Sequence, residues 1–296
     1  MLYMVSGMYQ TIKKIREYVN LSQEAFAKEL GVNFATVNRW ENNRTVADSA
    51  AEAKLYTFCK KNDVPLVSFI QEQVEAESRI NPLEKGHVRC FHGSKAGLVG
   101  PIAPISRAQC DFGPGFYMGD EPLQPLTLVI DKPESKYYVI DVDMKHINFL
   151  VLYPNLDWAM TVAYYRGKLD QIKGTKLYDK YACLSAGKDM VIGSIADDRM
   201  FFVMQEFFNN RITDIALVES MRGLKLGLQY VCINQHACNC VCIDHEIELS
   251  GLERRALLDY ATTQQKFGTK IVDDICMKYN REGKYFAEIL KEADND

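Results

Sequence analysis

The chain has 296 residues, enough for one large domain plus one small one. Hydrophobic residues at 47% and charged ones at 25% exclude a disordered chain and permit a sizeable core. With 35 Lys and Arg against 39 Asp and Glu, the net charge of -4 excludes a surface that coats nucleic acid throughout, so any such contact is local. Residues 1–8 are short and neutral, and Lys13, Lys14 and Arg16 precede any long apolar run, so neither a signal peptide nor an anchor is read. No stretch reaches the roughly 20 apolar residues of a membrane span. The expected location is the cytoplasm, with no membrane partner. Nine cysteines, an odd number, read as reduced thiols rather than a disulfide framework.

Helical spacing begins at Tyr9, with Ile12, Ile15, Tyr18 and Val19 on one stripe and Lys13, Lys14, Arg16 and Glu17 opposite. Ser22 then stands as an N-cap ahead of Ala25, Phe26, Ala27 and Leu30, and Gly31 follows as the residue that turns left-handed at the helix end. Residues 33–41 predict a third helix with Val37 and Trp40 facing inward and short polar side chains outward. Residues 47–60 and 65–77 predict two more helices that close a bundle, the last with the stripe Leu66, Phe69, Ile70 and Val74. Asn81-Pro82 and Lys85-Gly86 mark a boundary.

The run Leu21-Ser22-Gln23-Glu24-Ala25-Phe26-Ala27, continued by Thr36-Val37-Asn38-Arg39-Trp40-Glu41-Asn42, resembles the Cro and phage-repressor helix-turn-helix family over about a fifth of the chain. The resemblance implies DNA contact through Gln23, Asn33, Phe34, Ala35, Asn38 and Arg39, and binding as a dimer. Gln23 would hold the backbone and the adjacent base, while Phe34, Ala35 and Asn38 face base edges; Phe34 departs from the usual polar residue. The alternative is a helical adaptor that never touches DNA, because Glu17, Glu24, Glu29 and Glu41 weaken the local field.

After Gly86 the texture changes. Val88-Arg89-Cys90-Phe91 predicts a short strand ending in His92-Gly93-Ser94. The segment Asp111-Phe112-Gly113-Pro114-Gly115-Phe116-Tyr117-Met118-Gly119-Asp120 sets glycines and a proline among aromatics, which lets backbone approach a flat ligand. Its glycine spacing is neither a Rossmann fingerprint nor a P-loop. His92-Gly93-Ser94 followed by Phe112-Gly113-Pro114-Gly115-Phe116-Tyr117 resembles the first two signature segments of ADP-ribosyltransferases, nearest the His-Tyr-Glu branch that includes poly-ADP-ribose polymerases and many toxin-like bacterial domains. The similarity runs from about Arg89 to about Asp244, and Val191-Ile192-Gly193-Ser194-Ile195-Ala196-Asp197-Asp198 resembles an uncharacterised bacterial branch of that fold.

That resemblance implies NAD as substrate. His92 would hydrogen-bond the ribose next to adenine, and Gly93 would present backbone groups to the nicotinamide amide. Tyr117 would lie against the nicotinamide ring. Ser94, Phe112, Gly113 and Gly115 complete the expected NAD-binding set; His92, Tyr117 and Gln229 form the expected catalytic set. Gln229 stands at the start of the final core strand, where the main branch has Glu, and an amide supplies neither a base nor negative charge. Glu219, Asp197 and Asp198 are the candidates for a missing carboxylate.

Cys232, Cys238, Cys240 and Cys242, with His236 and His245 nearby, lack paired metal-knuckle spacing and read as buried thiols, the last three on one strand face; no metal is expected. Asp157-Trp158 and Tyr164-Tyr165-Arg166 read as the core of a helix on a sheet rather than a nucleic-acid platform. Residues 252–296 are helical in pattern, with Leu257, Leu258, Tyr260, Ile271, Ile275, Tyr285, Phe286 and Ile289 apolar.

The expected fold class is α+β: an all-α helix-turn-helix bundle over 1–80, an ADP-ribosyltransferase-like split β-sheet with helices over 81–250, and a helical extension over 251–296. The resemblances together imply a bacterial mono-ADP-ribosyltransferase of toxin or defence type, with an unspecified acceptor and an antitoxin or a second copy as partner. The alternative is a transcription regulator that senses NAD or ADP-ribose with an inactive transferase fold; a third reading is an adaptor with neither activity.

Overall fold

In a computed structural model, the described residues are 8–132, 134–195, 198–224, 227–279 and 282–294. Five helices form the N-terminal bundle: α1 (Met8–Tyr18), α2 (Gln23–Leu30), α3 (Phe34–Glu41), α4 (Ser49–Lys61) and α5 (Leu66–Ser78). Their ends follow local chemistry. The Ser22 hydroxyl accepts the Ala25 amide at 3.2 Å, and Gly31 at φ +63° turns its own N–H back to the Ala27 and Lys28 carbonyls. Asn33 caps α3 by accepting from the Thr36 amide at 2.7 Å, and Asp48 caps α4. Phe26, Val37, Trp40, Leu55 and Ile70 fill the bundle core. Tyr18, expected on the buried stripe, is 54% exposed because α1 ends there, and only its ring edge meets Phe69.

Seven strands build one mixed sheet in the order β4-β5-β6-β2-β1-β3-β7. They are β1 (His87–Ser94), β2 (Phe116–Gly119), β3 (Lys136–Asp143), β4 (Phe149–Leu152), β5 (Met190–Ser194), β6 (Leu228–Cys232) and β7 (Val241–Ile247). The alternation of these apolar strands gives two buried faces. Cys90, Met118, Tyr138, Ile140 and Ile192 line one. On the other face, Val191 and Val231 meet α7 (Leu156–Tyr165), α9 (Asp198–Phe208) and α10 (Asp214–Leu224). Strand β6, expected to be the last of the core, lies inside the sheet and is followed by β7 at the far edge, because β7 returns to pair with β3.

The expectation of three cysteines on one strand face is corrected. Cys238 is buried in the short helix α11 (Gln235–Asn239), Cys240 follows as its C-cap, and Cys242 is exposed on β7. Asn234 accepts the Ala237 amide at 3.0 Å and so starts a helix where strand alternation was expected.

Helix α12 (Gly251–Lys278) joins the two regions, and α13 (Phe286–Asp294) follows it. Ser250 and Glu253 form a capping box at the start of α12, and Leu252, Ala256 and Leu257 enter the same apolar cluster as the bundle helices, Phe91 and Tyr137. Leu258, expected to be apolar packing, is exposed. Polar contacts secure the junction: the Gly251 amide donates to Glu52 at 3.0 Å, Lys60 reaches Asp259 at 2.8 Å, and the Thr11 hydroxyl lies 3.3 Å from buried Glu253. Farther along, α12 packs on α9 and α10, where Ile271 and Ile275 lie over Gly223. No helix among the described residues is long and apolar enough to cross a membrane.

Candidate functional site

Two surfaces carry the expected functional residues. On the first, α3 packs against α1 and α2, while α12 grips α4 and α5, so the outer side of α3 is left uncovered by the sheet region. Phe34 is 44% exposed, and Ala35 and Arg39 are exposed beside it. The Asn33 carboxamide oxygen is committed to the helix cap, where it accepts from both the amide and the hydroxyl of Thr36. Asn38 Nδ2 donates to Gln23 Oε1 at 3.2 Å, and Gln23 Nε2 donates to Glu41 Oε2 at 2.7 Å.

Glu41 is buried and held by both nitrogens of an Arg16 fork, at 2.6 and 3.0 Å. This pair raises the Arg16 guanidinium further above its ordinary range. The expectation that Glu41 weakens the field of this face is therefore corrected, because its charge is neutralised internally. Glu17 also lies near Lys13 and Arg16. Glu24 and Glu29 stay exposed on α2. Lys28, Arg39, Arg44 and Lys54 have no carboxylate partner among the described residues, whereas Lys13, Lys14, Arg16 and Lys60 are paired elsewhere. The unpaired cations thus include residues of α2, α3 and the turn after it.

The second surface lies where β1 and β2 meet. Strand β1 pairs with β3 over eight positions but with β2 only at Phe91↔Gly119. Beyond that contact the backbone pairing ends, with His92–Ser94 on β1 and Phe116–Tyr117 on β2. His92 Nδ1 approaches the Tyr117 carbonyl oxygen at 2.7 Å, and its ring stacks on Phe116 at 4.6 Å. A carbonyl only accepts, so Nδ1 carries the proton and Nε2 keeps a lone pair. Burial holds this imidazole below its ordinary range, which favours that neutral form.

Tyr117 fastens the glycine segment. Its hydroxyl donates to the Gly113 carbonyl at 2.7 Å and accepts from the Phe112 amide at 3.0 Å, and burial pushes the phenol well up. Gly113 has φ +75° and a Cβ there would lie 2.6 Å from the Tyr165 ring, so glycine is required twice over. A Cβ at Gly115 would lie 2.5 Å from Val231. Gly93 also answers to packing: a Cβ would meet the Pro125 carbonyl at 2.4 Å, on α6 (Leu123–Thr127). The Ser94 hydroxyl turns back to Gly97 at 2.8 Å.

Gln229 stands in a row across the sheet between Gly193 of β5 and Gly119 of β2. It is 7% exposed, and Nε2 donates to Ser194 O at 3.0 Å and to Asp111 Oδ2 at 3.1 Å. Asp111 Oδ1 is taken by Arg166 Nη2 at 2.5 Å, and the Arg166 guanidinium lies 4.4 Å from the Phe201 ring centre. Trp158, fully buried on α7, donates its indole N–H to the same Ser194 carbonyl at 3.0 Å.

A carboxylate therefore does stand beside Gln229, but it is Asp111. Glu219 lies on α10 and pairs with Arg222; Asp197 and the side chain of Asp198 lie outside the described residues. Asp111 and Arg166 were missed as site residues. Asp111 opens the glycine segment and Arg166 closes an aromatic run assigned to the core, and no local pattern links positions 55 apart. Among the described residues no group of three or more His, Cys, Asp or Glu is placed to hold a metal ion.

The N-terminal geometry is that of a helix-turn-helix, and a family model described as helix-turn-helix matches residues 12–51. A second model, described as "Protein of unknown function (DUF3990)", matches residues 88–242, just over half of the chain, and the chain belongs to that family. No curated protein and no solved structure matches the chain.

Proposed function

We propose that the protein binds DNA through α3 and takes NAD where the pairing of β1 with β2 ends, cleaves the nicotinamide–ribose bond there and passes ADP-ribose to an acceptor. DNA binding draws support from the helix-turn-helix match and the uncovered outer side of α3. The single observation that carries the NAD reading is the one-pair contact of β1 with β2, flanked by the two segments that resemble transferase signatures. His92 Nε2 offers a neutral acceptor for a ribose hydroxyl, and the Tyr117 ring offers a flat apolar wall to nicotinamide.

In the reaction the C–N bond breaks with its electron pair leaving on nicotinamide, and cationic character builds on the ribose. An acceptor nucleophile then forms the new bond to that carbon and loses its proton to solvent, since the Gln229 amide is no base. Cleavage requires stabilisation of the cationic sugar by a negative group or dipole, and the amide of Gln229 supplies only the dipole.

Gln229 favours a second reading, in which the same site binds NAD or ADP-ribose without turnover and reports to the DNA-binding region. Nicotinamide release from NAD by the purified protein, with and without bacterial lysate as acceptor source, separates the two. Release that is lost in both His92→Ala and Tyr117→Ala supports the transferase. NAD binding with no release under either condition supports the sensor, and neither binding nor release overturns both.

A further inference from the structure

The two hydrogens on Gln229 Nε2 go to groups that only accept, a carboxylate and a backbone carbonyl. Flipping the amide would set its oxygen against both, so the side chain has one orientation. Its Oε1 has no partner among the described residues and is not enclosed, although the residue as a whole is nearly buried. On the flanking strands the Phe112 ring fills the space over Gly193, and Gln124 and Pro125 fill that over Gly119. The amide oxygen is therefore a fixed hydrogen-bond acceptor with access to solvent.

We propose that Asp111, anchored by Arg166, is a positioning residue that holds Gln229 so that its amide oxygen receives a hydroxyl of the bound ligand. On the NAD reading, on which this ligand assignment rests, that hydroxyl belongs to the ribose. Arg166 balances the Asp111 charge, so the unit is neutral overall. Donation into a carboxylate draws electron density toward Oε1 and strengthens it as an acceptor. Asp111 and Gln229 thus divide the work between two residues: Asp111 orients and polarises the amide, and Gln229 presents the acceptor to the sugar.

Because the roles are divided, they should be exchangeable. In the double variant Asp111→Asn with Gln229→Glu, the Asn amide donates to the new carboxylate and Arg166 still finds an oxygen on residue 111, while the Ser194 carbonyl keeps the Trp158 indole N–H but loses its donor at residue 229. Each single variant spoils the pair: Asp111→Asn removes the acceptor that orients Gln229, and Gln229→Glu sets two carboxylates side by side.

The test uses the full chain in wild-type, both single and double forms. The first readout is solvent exchange of the Gln229 side-chain amide protons by NMR, the signal being assigned by its loss in Gln229→Glu. These protons should exchange slowly in the wild type and fast in Asp111→Asn. The second is nicotinamide release. Each single variant should lose about 10–100-fold in kcat, the range for partners that orient a site group from behind, with a smaller change in KM. The double should be more active than either single variant, short of full recovery because the bond to Ser194 O is not restored, a coupling that independent sites do not show.

Unchanged amide exchange in Asp111→Asn overturns the proposal. So does a double variant no better than either single, since a loop-closing role for Asp111 gives no rescue. If the wild type neither binds nor cleaves NAD, the NAD reading fails, and amide exchange alone decides whether Asp111 positions Gln229.

Discussion

The bundle and the sheet region use the same three parts in different ways. In the bundle, Arg16 neutralises Glu41, and Glu41 holds the Gln23 amide, whose oxygen is passed on to Asn38. In the sheet region, Arg166 neutralises Asp111, and Asp111 holds the Gln229 amide, whose oxygen is passed to no protein group among the described residues. The first arrangement presents its amides on a helix surface, where a long duplex can reach them. The second lies on β6 inside the sheet, paired on both sides and nearly buried, so that little of it faces out. A neutralised carboxylate behind an amide fixes which end of the amide faces out; the surrounding fold decides what can approach it.

The largest expected effect tests whether the two regions are energetically separate. Trp40→Ala and Trp158→Ala each empty a large core site and should cost about 3–5 kcal/mol. Bundle helices, Phe91, Tyr137 and α12 share one apolar cluster. Calorimetry should therefore show one unfolding transition that moves down with either substitution. Two transitions that respond separately would break the comparison into two independent domains.

Removing the arginines compares the two units directly. Arg16→Met and Arg166→Met each strand a largely buried carboxylate and should cost about 2–3 kcal/mol, less than a fully buried pair because both guanidiniums keep some solvent contact. Denaturant unfolding measures the losses. A cost under about 0.5 kcal/mol at either site, typical of exposed pairs, would show that the carboxylate there is not organised by its arginine.

A smaller and selective effect is expected at the DNA surface. Asn38→Ala and Arg39→Ala should each weaken DNA binding by about 1–3 kcal/mol, with the Arg39 change also reducing the salt slope if it contacts phosphate. His92→Ala should leave DNA affinity unchanged when NAD is absent. Fluorescence anisotropy at two salt concentrations checks all three, and equal weakening by His92→Ala would mean that the surfaces are not distinct.

The smallest effects are pH-dependent and of opposite sign. Burial lowers the His92 value, so the native state disfavours the charged ring; its contribution is present above about 6.5, the unfolded value, and is lost as pH falls below that. Burial raises the Glu253 value, so the native state favours the protonated acid, and stability rises as pH falls through the range above its unfolded 4.5. The difference in Tm between wild type and His92→Gln should therefore shift against wild type on acidification below 6.5. The difference between wild type and Glu253→Gln should shift in favour of wild type, because in that variant Thr11 turns its hydroxyl to the new amide and the titration is gone. Parallel shifts would contradict the assigned burial of one of the two.

Much of the bundle was legible because its determinants are local. Ser22, Gly31 and the 3.6-residue stripe of Val37 and Trp40 act within a few residues of themselves. The strand ending in His92-Gly93-Ser94 was readable for the same reason, whereas Gly113 is held by its positive φ and by the distant Tyr165 ring, which no neighbouring residue announces. Glu41 was misread as a liability because its partner Arg16 is 25 positions away on another helix. Cys238 and Cys240 were misplaced because the Asn234 cap overrides strand alternation.

The amino-acid sequence by itself determined the α+β division, the helix-turn-helix and the strand that ends in His92-Gly93-Ser94, since capping, periodicity and strand alternation depend on near neighbours. Only the tertiary structure decided that Asp111 stands beside Gln229, that Arg166 balances it, and that α12 binds bundle to sheet. Those contacts join positions 55 to 242 residues apart. Strand register and helix packing select them after the local elements exist, and no spacing in the chain encodes them.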